Sequence, residues 1–408
     1  MLHLSFLHKR QFRYLGAFYL HSIIRYFAVS LFQIFNGIYI FQLSLSHGFE
    51  YHQALSIVAL VLCLMYIFDA LSIAPTIWLI AKKGLKFSIF WGNICLILFY
   101  FILSLSKYDL IFLPISTIFG GFAIGLYWTA YHVYFSHLSD DQKQGAELSI
   151  SFILQSLVSI GGPAFGSLII SYWGFESLFV LLSFLVILAI LPLRFLPKQE
   201  NKIEIHLLKT VMTLSPKREW KSFAAMGADS IADLVAVIFL PIYILPILSA
   251  IVGVGFVGSL VAFFAMIATF VIGLSIDKFG PKRITRLFAP LDSMAWVLTT
   301  FIFLPIHVFI MSAVYAVTRS AIVVSLDATI YGRARHDDLV AYIFQREIGM
   351  SAPRAAFLFI IGILFWFKLP LVMVFIFAAL ITLMTILYPY KTDTDKSKIS
   401  LPEVTPQS

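Results

Sequence analysis

Charged residues are scarce in this chain of 408 residues, at 12% of the sequence, whereas hydrophobic residues make up 60% and the mean hydropathy is +0.93. Soluble domains carry about 25% charged residues, so this composition excludes a water-soluble protein of ordinary surface character. Cysteine is nearly absent: Cys63 and Cys95 both lie within apolar runs, which excludes a disulfide framework or a cysteine metal site. The sequence also lacks a P-loop, a His-Glu-x-x-His segment and a Gly-x-Ser-x-Gly segment. It therefore predicts neither an enzyme nor a bound metal or cofactor.

Apolar segments long enough to cross a bilayer take up most of the chain. A span needs about 20 apolar residues, and the pattern predicts two sets of six spans. They lie at residues 17–44, 52–80, 86–105, 109–136, 147–172 and 174–196, and then at 220–247, 249–276, 283–303, 305–332, 339–366 and 369–389. The predicted units are a first half at 1–196, a cytoplasmic linker at 197–219, a second half at 220–390 and a disordered tail at 391–408. The sequence thus predicts an all-α membrane protein with twelve transmembrane helices.

Positive charges alternate from loop to loop. Counted from a cytoplasmic N-terminus, the even loops carry the basic linker together with Lys82, Lys83, Lys86, Lys143, Lys278, Lys282, Arg283, Arg333 and Arg335. The odd loops carry only Lys107 and Lys368. Cytoplasmic loops are enriched in Lys and Arg, so we predict a multi-pass protein of the plasma membrane, the inner membrane in a bacterium, with both termini in the cytoplasm. This distribution accounts for the net charge of +8 without a nucleic-acid partner.

The loop after the eighth predicted span has a distinctive spacing of glycines, one acid and several bases. Its members are Gly273, Asp277, Lys278, Gly280, Lys282 and Arg283. The segment resembles the cytoplasmic-loop signature of the major facilitator superfamily, Gly-x-x-x-Asp-Arg/Lys-x-Gly-x-Arg/Lys-Arg/Lys. Gly273 permits close helix approach, and Gly280 permits a turn that a side chain would strain. Asp277 can face the positive N-terminus of a neighbouring helix, while the basic residues can reach lipid headgroups.

The resemblance implies two pseudo-symmetric six-helix bundles around a central cavity, a monomeric protein, and a latch that opens and closes the cytoplasmic gate. The corresponding loop of the first half keeps Gly84 and Lys86, but Ala81 stands where the family has its acid. Because the two halves share this loop at corresponding positions, an internal duplication is expected, as in other transporters built from repeats.

A second resemblance lies in the fifth predicted span, where residues 161–167 read Gly-Gly-Pro-Ala-Phe-Gly-Ser. This segment is similar to the Gly-Pro-x-x-Gly-Gly end of the signature of drug–proton antiporters. Gly162, Pro163 and Gly166 predict a helix bend and a tight helix contact. The antiporter resemblance implies export, and the alternative is a packing bend that serves any transporter.

Two acids lie within the seventh predicted span. Asp229 and Asp233 are four residues apart, which places them about 40° apart on one helix face. Ionisable residues inside a bilayer are costly and usually face a cavity. Two adjacent carboxylates repel each other, which favours proton uptake by one of them. We therefore predict that the pair couples transport to protons, the alternative being that nearby basic or polar groups neutralise each acid as part of the structure.

Polar residues also mark one face of the first predicted span. Arg25, Gln33, Asn36 and Tyr39 fall on a common face of a continuous helix, and we predict that they line the substrate cavity. For Arg25 the alternative is that its long side chain extends to the membrane surface.

Two arginines of the second half complete the predicted cavity. Arg319 lies in the tenth span, and Arg354 lies in the eleventh span beside Pro353, which is expected to kink the helix. Each arginine could bind an anionic group of a substrate, or could neutralise Asp229 or Asp233.

These features together predict a secondary active transporter that works by alternating access, with proton-coupled export of a small amphipathic molecule or metabolite. The expected partners are this solute, protons and the lipid bilayer. Import, uniport and a transport-inactive sensor are the alternatives. A membrane enzyme for lipid-linked substrates would need a site in an extramembrane loop, and the outer loops are too short for one.

Overall fold

The computed structural model describes residues 2–138, 144–197, 216–334 and 339–388. Within these ranges the chain forms twelve α-helices, which are α1 (Leu2–Phe32), α2 (Asn36–Ser46), α3 (Tyr51–Lys83), α4 (Leu85–Leu105), α5 (Phe112–Leu138), α6 (Gln144–Ile190), α7 (Pro216–Leu248), α8 (Ile251–Phe279), α9 (Pro281–Thr299), α10 (Pro305–Ala334), α11 (Leu339–Trp366) and α12 (Val372–Thr382). Short 3-10 turns lie at Gln33–Phe35, Leu191–Phe195 and Leu383–Leu387. The described ranges contain helices and turns without strands, which confirms the predicted all-α class.

Nine helices in the described part of the chain are long and apolar enough to cross a membrane. In this count α1 and α2 form one span, Tyr14–Ser46, and α6 is one span although two were predicted there. The more polar α9 and the shorter α12 complete the set, so the segments follow the order of the twelve predicted spans. The predicted linker at 197–219 and tail at 391–408 lie largely outside the described residues, and these boundaries stay predictions.

The chain reverses direction at Gly174, inside α6. This residue has φ 80° and ψ 172°, which is not helical. On one side of it, Gln155 of α6 donates a hydrogen bond to the hydroxyl of Tyr131 on α5, and the Tyr131 ring stacks on Phe18. On the other side, the carbonyl oxygen of Ala189 lies 2.6 Å from Nδ1 of His21, one turn from Phe18. Both ends of α6 therefore lie at the same level of α1, as two antiparallel spans require.

The two halves repeat the same glycine-centred turn in their corresponding loops. Gly84 separates α3 from α4 with φ 90° and ψ 167°, and Gly280 separates α8 from α9 with φ 78° and ψ 150°. In each turn the glycine N–H donates to a carbonyl of the preceding helix, from Gly84 to Ile80 and from Gly280 to Ile276. This conformation is essentially restricted to glycine, which explains why glycine is retained in both loops.

Replacing Gly280 by alanine is expected to destabilise the protein by about 1–3 kcal/mol, because alanine is strained in this backbone region. No described atom lies within 4 Å of a Cβ placed at Gly280 or at Gly273, so new side-chain contacts do not contribute at either position. Gly273→Ala is the matched control: Gly273 is helical, and alanine favours a helix interior. Thermal unfolding of both purified variants measures the difference. Equal melting temperatures would contradict backbone strain as the cause.

The same observation corrects one expectation about this loop. The close helix approach predicted at Gly273 is not present among the described residues, because a Cβ there would meet none of their atoms within 4 Å. In the described arrangement Gly273 occupies the position of the first glycine of the signature, but it makes no packing contact with another helix.

Among the described residues the halves contact each other mainly through α3 with α11 and α6 with α8, and less extensively through α2 with α7 and α5 with α11. Between α3 and α11, Ser56 Oγ donates to the carbonyl oxygen of Gly362 at 2.7 Å. Between α2 and α7, a Cβ on Gly37 would lie 2.9 Å from the carbonyl oxygen of Ile238. Such close backbone approach between helices depends on small residues.

The Gly-Pro segment of α6 lies at the centre of this packing. A Cβ on Gly162 would overlap Ser30 of α1, and a Cβ on Gly166 would overlap the main chain of Leu31. Pro163 packs against Gly258 of α8, in the other half. The predicted tight contact is thus present, whereas the helix continues through Pro163 and the non-helical break lies at Gly174.

Candidate functional site

A polar cavity of about 350 Å³ lies between the two halves. Arg25, Gln33 and Asn36 line it from the first predicted span, Asp233 from α7 and Arg354 from α11. The remaining wall consists mainly of apolar and aromatic side chains of α3, α4 and α5. The structure thus brings together five of the residues that the sequence marked for substrate or proton binding.

A second cavity of about 350 Å³ adjoins the first from within the C-terminal half. Its wall is formed mostly by aliphatic side chains of α7, α8 and α10, with Asp233, Tyr315 and Arg319 among its polar members. Asp233 and Val237 line both cavities. A solute that reached both would meet charged and amide groups at one end and an apolar surface at the other.

The Asp233 carboxylate forms an ion pair with Arg354 across this junction. Arg354 Nη2 lies 3.2 Å from Asp233 Oδ2, and its Nε donates to the carbonyl oxygen of Ser230 at 3.1 Å. The guanidinium also lies 5.2 Å from the ring centroid of Tyr66 on α3. The Asp233 side chain is 48% exposed and the Arg354 side chain 14%. The pair therefore joins α7 to α11 while its carboxylate remains accessible from the cavity.

Asp229 has a different arginine and a different environment. Arg319 Nη2 lies 2.8 Å from Asp229 Oδ1 and also donates to the main-chain oxygen of Asp229. The side chain of Asp229 is 16% exposed and that of Arg319 is 8% exposed, and Asp229 is not among the residues lining either cavity. The two acids that the sequence grouped as one pair are thus held separately, each by its own arginine. Asp233 faces the cavity, and Asp229 lies in the helix interface.

Arg25 packs against aromatic rings of α5. Its guanidinium carbon lies 3.3 Å from the ring centroid of Tyr127 and 5.7 Å from that of Trp128. The residue is 4% exposed, and its Nε is buried without a hydrogen-bond partner in the described part of the chain. Arg25 therefore stays inside the bundle instead of extending to the membrane surface, and the ring face stabilises its charge.

Tyr39 is placed away from the cavity, contrary to the prediction from helical periodicity. Its hydroxyl donates to the carbonyl oxygen of Leu103 at 3.1 Å and lies 2.9 Å from Ser106 Oγ, while its ring contacts Phe175. The physical reason is depth along the helix, because Tyr39 lies almost one turn beyond Asn36, the last residue of this span that lines the cavity. At that depth its hydroxyl meets the end of α4.

The residues assigned to the cytoplasmic latch have mixed positions. Lys86 Nζ donates to the carbonyl oxygen of Leu196 at 2.9 Å, so it caps the end of the first half instead of reaching a lipid headgroup. Lys278 lies 5.2 Å from the ring centroid of Phe279, and Lys282 and Arg283 follow in the first turn of α9. The side chain of Asp277 lies outside the described residues, and the latch itself stays a prediction.

The structure also reveals a contact between the halves that the sequence did not identify. Asp69 of α3 is 2% exposed and accepts a hydrogen bond of 2.5 Å from Ser351 Oγ of α11. An acid in an apolar span was a visible signal. Its partner was not, because Ser351 belongs to the other half and no local pattern connects the two positions. Asp292 of α9, a second buried acid in an apolar span, accepts hydrogen bonds from Thr318 and Thr382.

Comparisons with known proteins agree with this architecture. A solved structure of a D-xylose–proton symporter is similar, with a TM-score of 0.69 and 12% identity over 93% of this chain and 98% of that one. Structures of a POT family transporter with a thioalcohol-conjugated peptide and with 5-aminolevulinic acid each give a TM-score of 0.70 and 15% identity, over 91% of this chain and 94% of theirs. At such identities the likeness concerns the fold.

The sequence itself provides the family. No curated protein matches it. The sequence model of the Major Facilitator Superfamily matches residues 25–240, which is more than half of the chain and includes most of the cavity-lining helices. This match confirms the predicted family and the predicted absence of enzyme activity: the chain belongs to the Major Facilitator Superfamily of membrane transporters.

Proposed function

We propose that this chain is a proton-coupled secondary transporter that moves a small solute through the central cavity by alternating access. The observation that carries the proposal is the ion pair of Asp233 and Arg354, with its carboxylate half exposed at the junction of the two cavities. Family membership supports the transport function, and a carboxylate inside a bilayer supports proton binding.

The coupling follows from what a proton does to this pair. Protonation removes the charge of Asp233 and leaves Arg354 without its counter-ion. The electrostatic contact between α7 and α11 then weakens, and Arg354 becomes available to the cavity. Because α11 also packs against α3 of the other half, protonation is linked to the arrangement of the two halves. We assign coupling to Asp233, and we assign Asp229, which is less exposed and lines neither cavity, to structure.

The direction of transport has two candidates, proton symport and export by proton antiport. Export is favoured by the resemblance of residues 161–167 to the antiporter signature and by the position of Pro163 at the contact between α6 and α8. We further propose a plasma-membrane location with both termini in the cytoplasm, supported by the basic loops, and a monomer as the working unit.

Asp233→Asn is expected to abolish substrate-dependent proton movement in proteoliposomes, because the amide cannot bind and release a proton. The assay imposes a pH gradient, adds pooled metabolites and drugs, and follows internal pH with a dye. Asp109→Asn is the matched control, since Asp109 lies in the exposed loop between α4 and α5 and bonds only locally to the N–H of Ile111. This variant is expected to behave as wild type.

The outcomes separate the candidates. Solute and proton moving in the same direction indicate symport, and movement in opposite directions indicates export by antiport. Solute flux without proton movement, equal in wild type and Asp233→Asn, would overturn proton coupling at this residue.

A further inference from the structure

Arg25 is a buried charge at the cavity wall without an acidic partner among the described side chains. Arg319 and Arg354 each lie within 3.2 Å of a carboxylate oxygen. Among the residues whose side chains are described, no carboxylate lies within ion-pair distance of Arg25, and its guanidinium lies against the rings of Tyr127 and Trp128. A buried side chain with an unpartnered Nε, at the wall of a cavity, is positioned to bind a ligand.

The charge balance of the two joined cavities gives the sign of that ligand. The walls contain three arginines, and ion pairs among the described residues neutralise two of them, Arg319 with Asp229 and Arg354 with Asp233, which leaves the charge of Arg25. An unpaired charge is unfavourable in a low-dielectric interior, and a ring face compensates only part of it. A bound anion of charge −1 would restore neutrality.

The remaining walls indicate what the rest of the ligand is like. Gln33 and Asn36 line the same cavity as Arg25, and Asn36 Oδ1 is buried without a hydrogen-bond donor. A hydroxyl or N–H group of a ligand could donate to it. Beyond Asp233 the second cavity is aliphatic, which suits an apolar body.

We propose that the substrate is a monoanionic, amphipathic organic acid whose anionic group binds Arg25 and whose apolar part enters the second cavity; this rests on the proposed transport function. The inference also predicts the sign of coupling. Protonation of Asp233 releases Arg354 and adds a second positive charge beside the anion. The anion and the proton therefore favour each other's binding, which favours symport over export by antiport.

The test compares ligands of equal shape and different charge on the purified full-length protein. The probes are unbranched and phenyl-substituted carboxylates of four to ten carbons, such as 4-phenylbutyrate, each with its matched amine and alcohol. Binding is followed by tryptophan fluorescence, since Trp128 lies beside Arg25, and by the shift in melting temperature. Wild type is compared with Arg25→Met and Arg25→Lys.

Carboxylates are expected to bind wild type, with the matched amines and alcohols at least tenfold weaker. Arg25→Met is expected to lower carboxylate affinity at least tenfold, and Arg25→Lys to retain part of it. The melting temperature of ligand-free Arg25→Met should equal or exceed that of wild type, because the variant removes an unpaired buried charge.

Three results would overturn the inference: no carboxylate binds, amines or alcohols bind as tightly, or affinity is unchanged in Arg25→Met. A lower melting temperature of Arg25→Met with unchanged affinity would make Arg25 a structural residue. Carboxylate binding at Arg25 without proton flux would defeat the proposed coupling and leave this inference intact, whereas proton-coupled flux of cations alone would do the reverse.

Discussion

Asp229→Ala should destabilise the protein by about 3–5 kcal/mol, the usual result of removing one partner of a buried ion pair. The substitution leaves Arg319, which is 6% exposed, with an uncompensated charge in the interface of α7 and α10. Its Nε and Nη1 are already buried without hydrogen-bond partners, so Arg319 depends on Asp229 for its neutralisation. Thermal unfolding followed with a thiol-reactive dye measures the effect, because Cys63 is buried in the folded state.

The double variant Asp229→Ala, Arg319→Met provides the control for this prediction. Replacing both charges by apolar groups removes the unpaired arginine, so the double variant should be more stable than Asp229→Ala and near wild type. The coupling energy of the resulting cycle isolates the pair. If Asp229→Ala melted at the wild-type temperature, the assignment of Asp229 to structure would be wrong.

Gly255→Ala is expected to reduce transport strongly while the protein still folds. A Cβ at this position of α8 would lie 2.5 Å from the carbonyl oxygen of Pro163 and would overlap the side chain of Ser167 on α6. Overpacking costs about 1–3 kcal/mol, and here the cost falls on the contact between the halves. It should therefore shift the equilibrium between the two arrangements of the halves by about 5- to 150-fold, away from the one in which α6 and α8 are packed.

Two measurements check this prediction. Solute flux in proteoliposomes gives the loss of transport, and alkylation of Cys63 in a Cys95→Ser background gives the shift in arrangement. Cys63 Sγ donates to the carbonyl oxygen of Ala355 in the interface of α3 and α11, so separation of the halves should increase its reactivity. Gly16→Ala on α1 is the matched control, since its Cβ meets no described atom within 4 Å. Wild-type transport by Gly255→Ala would show that α6 and α8 do not need this close contact.

The fold could be predicted from the sequence because a membrane imposes strong one-dimensional rules. Apolar length fixes the spans, and all-helical structure follows because backbone groups in lipid must bond within each span. The order of the described helices matches the order of the predicted spans. The match includes α6, which contains two spans that meet at the reversal at Gly174. The family was also recognisable, since the loop at residues 273–283 retains its spacing.

The candidate site was predicted only in part. Arg25, Gln33 and Asn36 line the cavity, whereas Tyr39 lies almost one turn beyond Asn36 and bonds at the end of α4. Helical periodicity gives the face on which a side chain lies, but it does not give the depth at which the cavity ends. Asp229 and Asp233 share a face of one helix, yet their roles differ because their arginines come from two other helices.

By itself the sequence determined the class of this protein: an all-α membrane protein of the major facilitator type, with its charged residues exceptional enough to mark the interior. Composition, span length and loop charge are properties of short segments, and the bilayer acts on each segment separately. Only the tertiary structure decided which charges neutralise each other and which remain unpaired. Among the described residues Arg25 meets aromatic rings instead of an acid, and Asp69 meets Ser351, because helices distant in sequence pack at particular rotations and depths. Electrostatic balance depends on those distances and on burial, and neither is encoded in the spacing of residues along one helix.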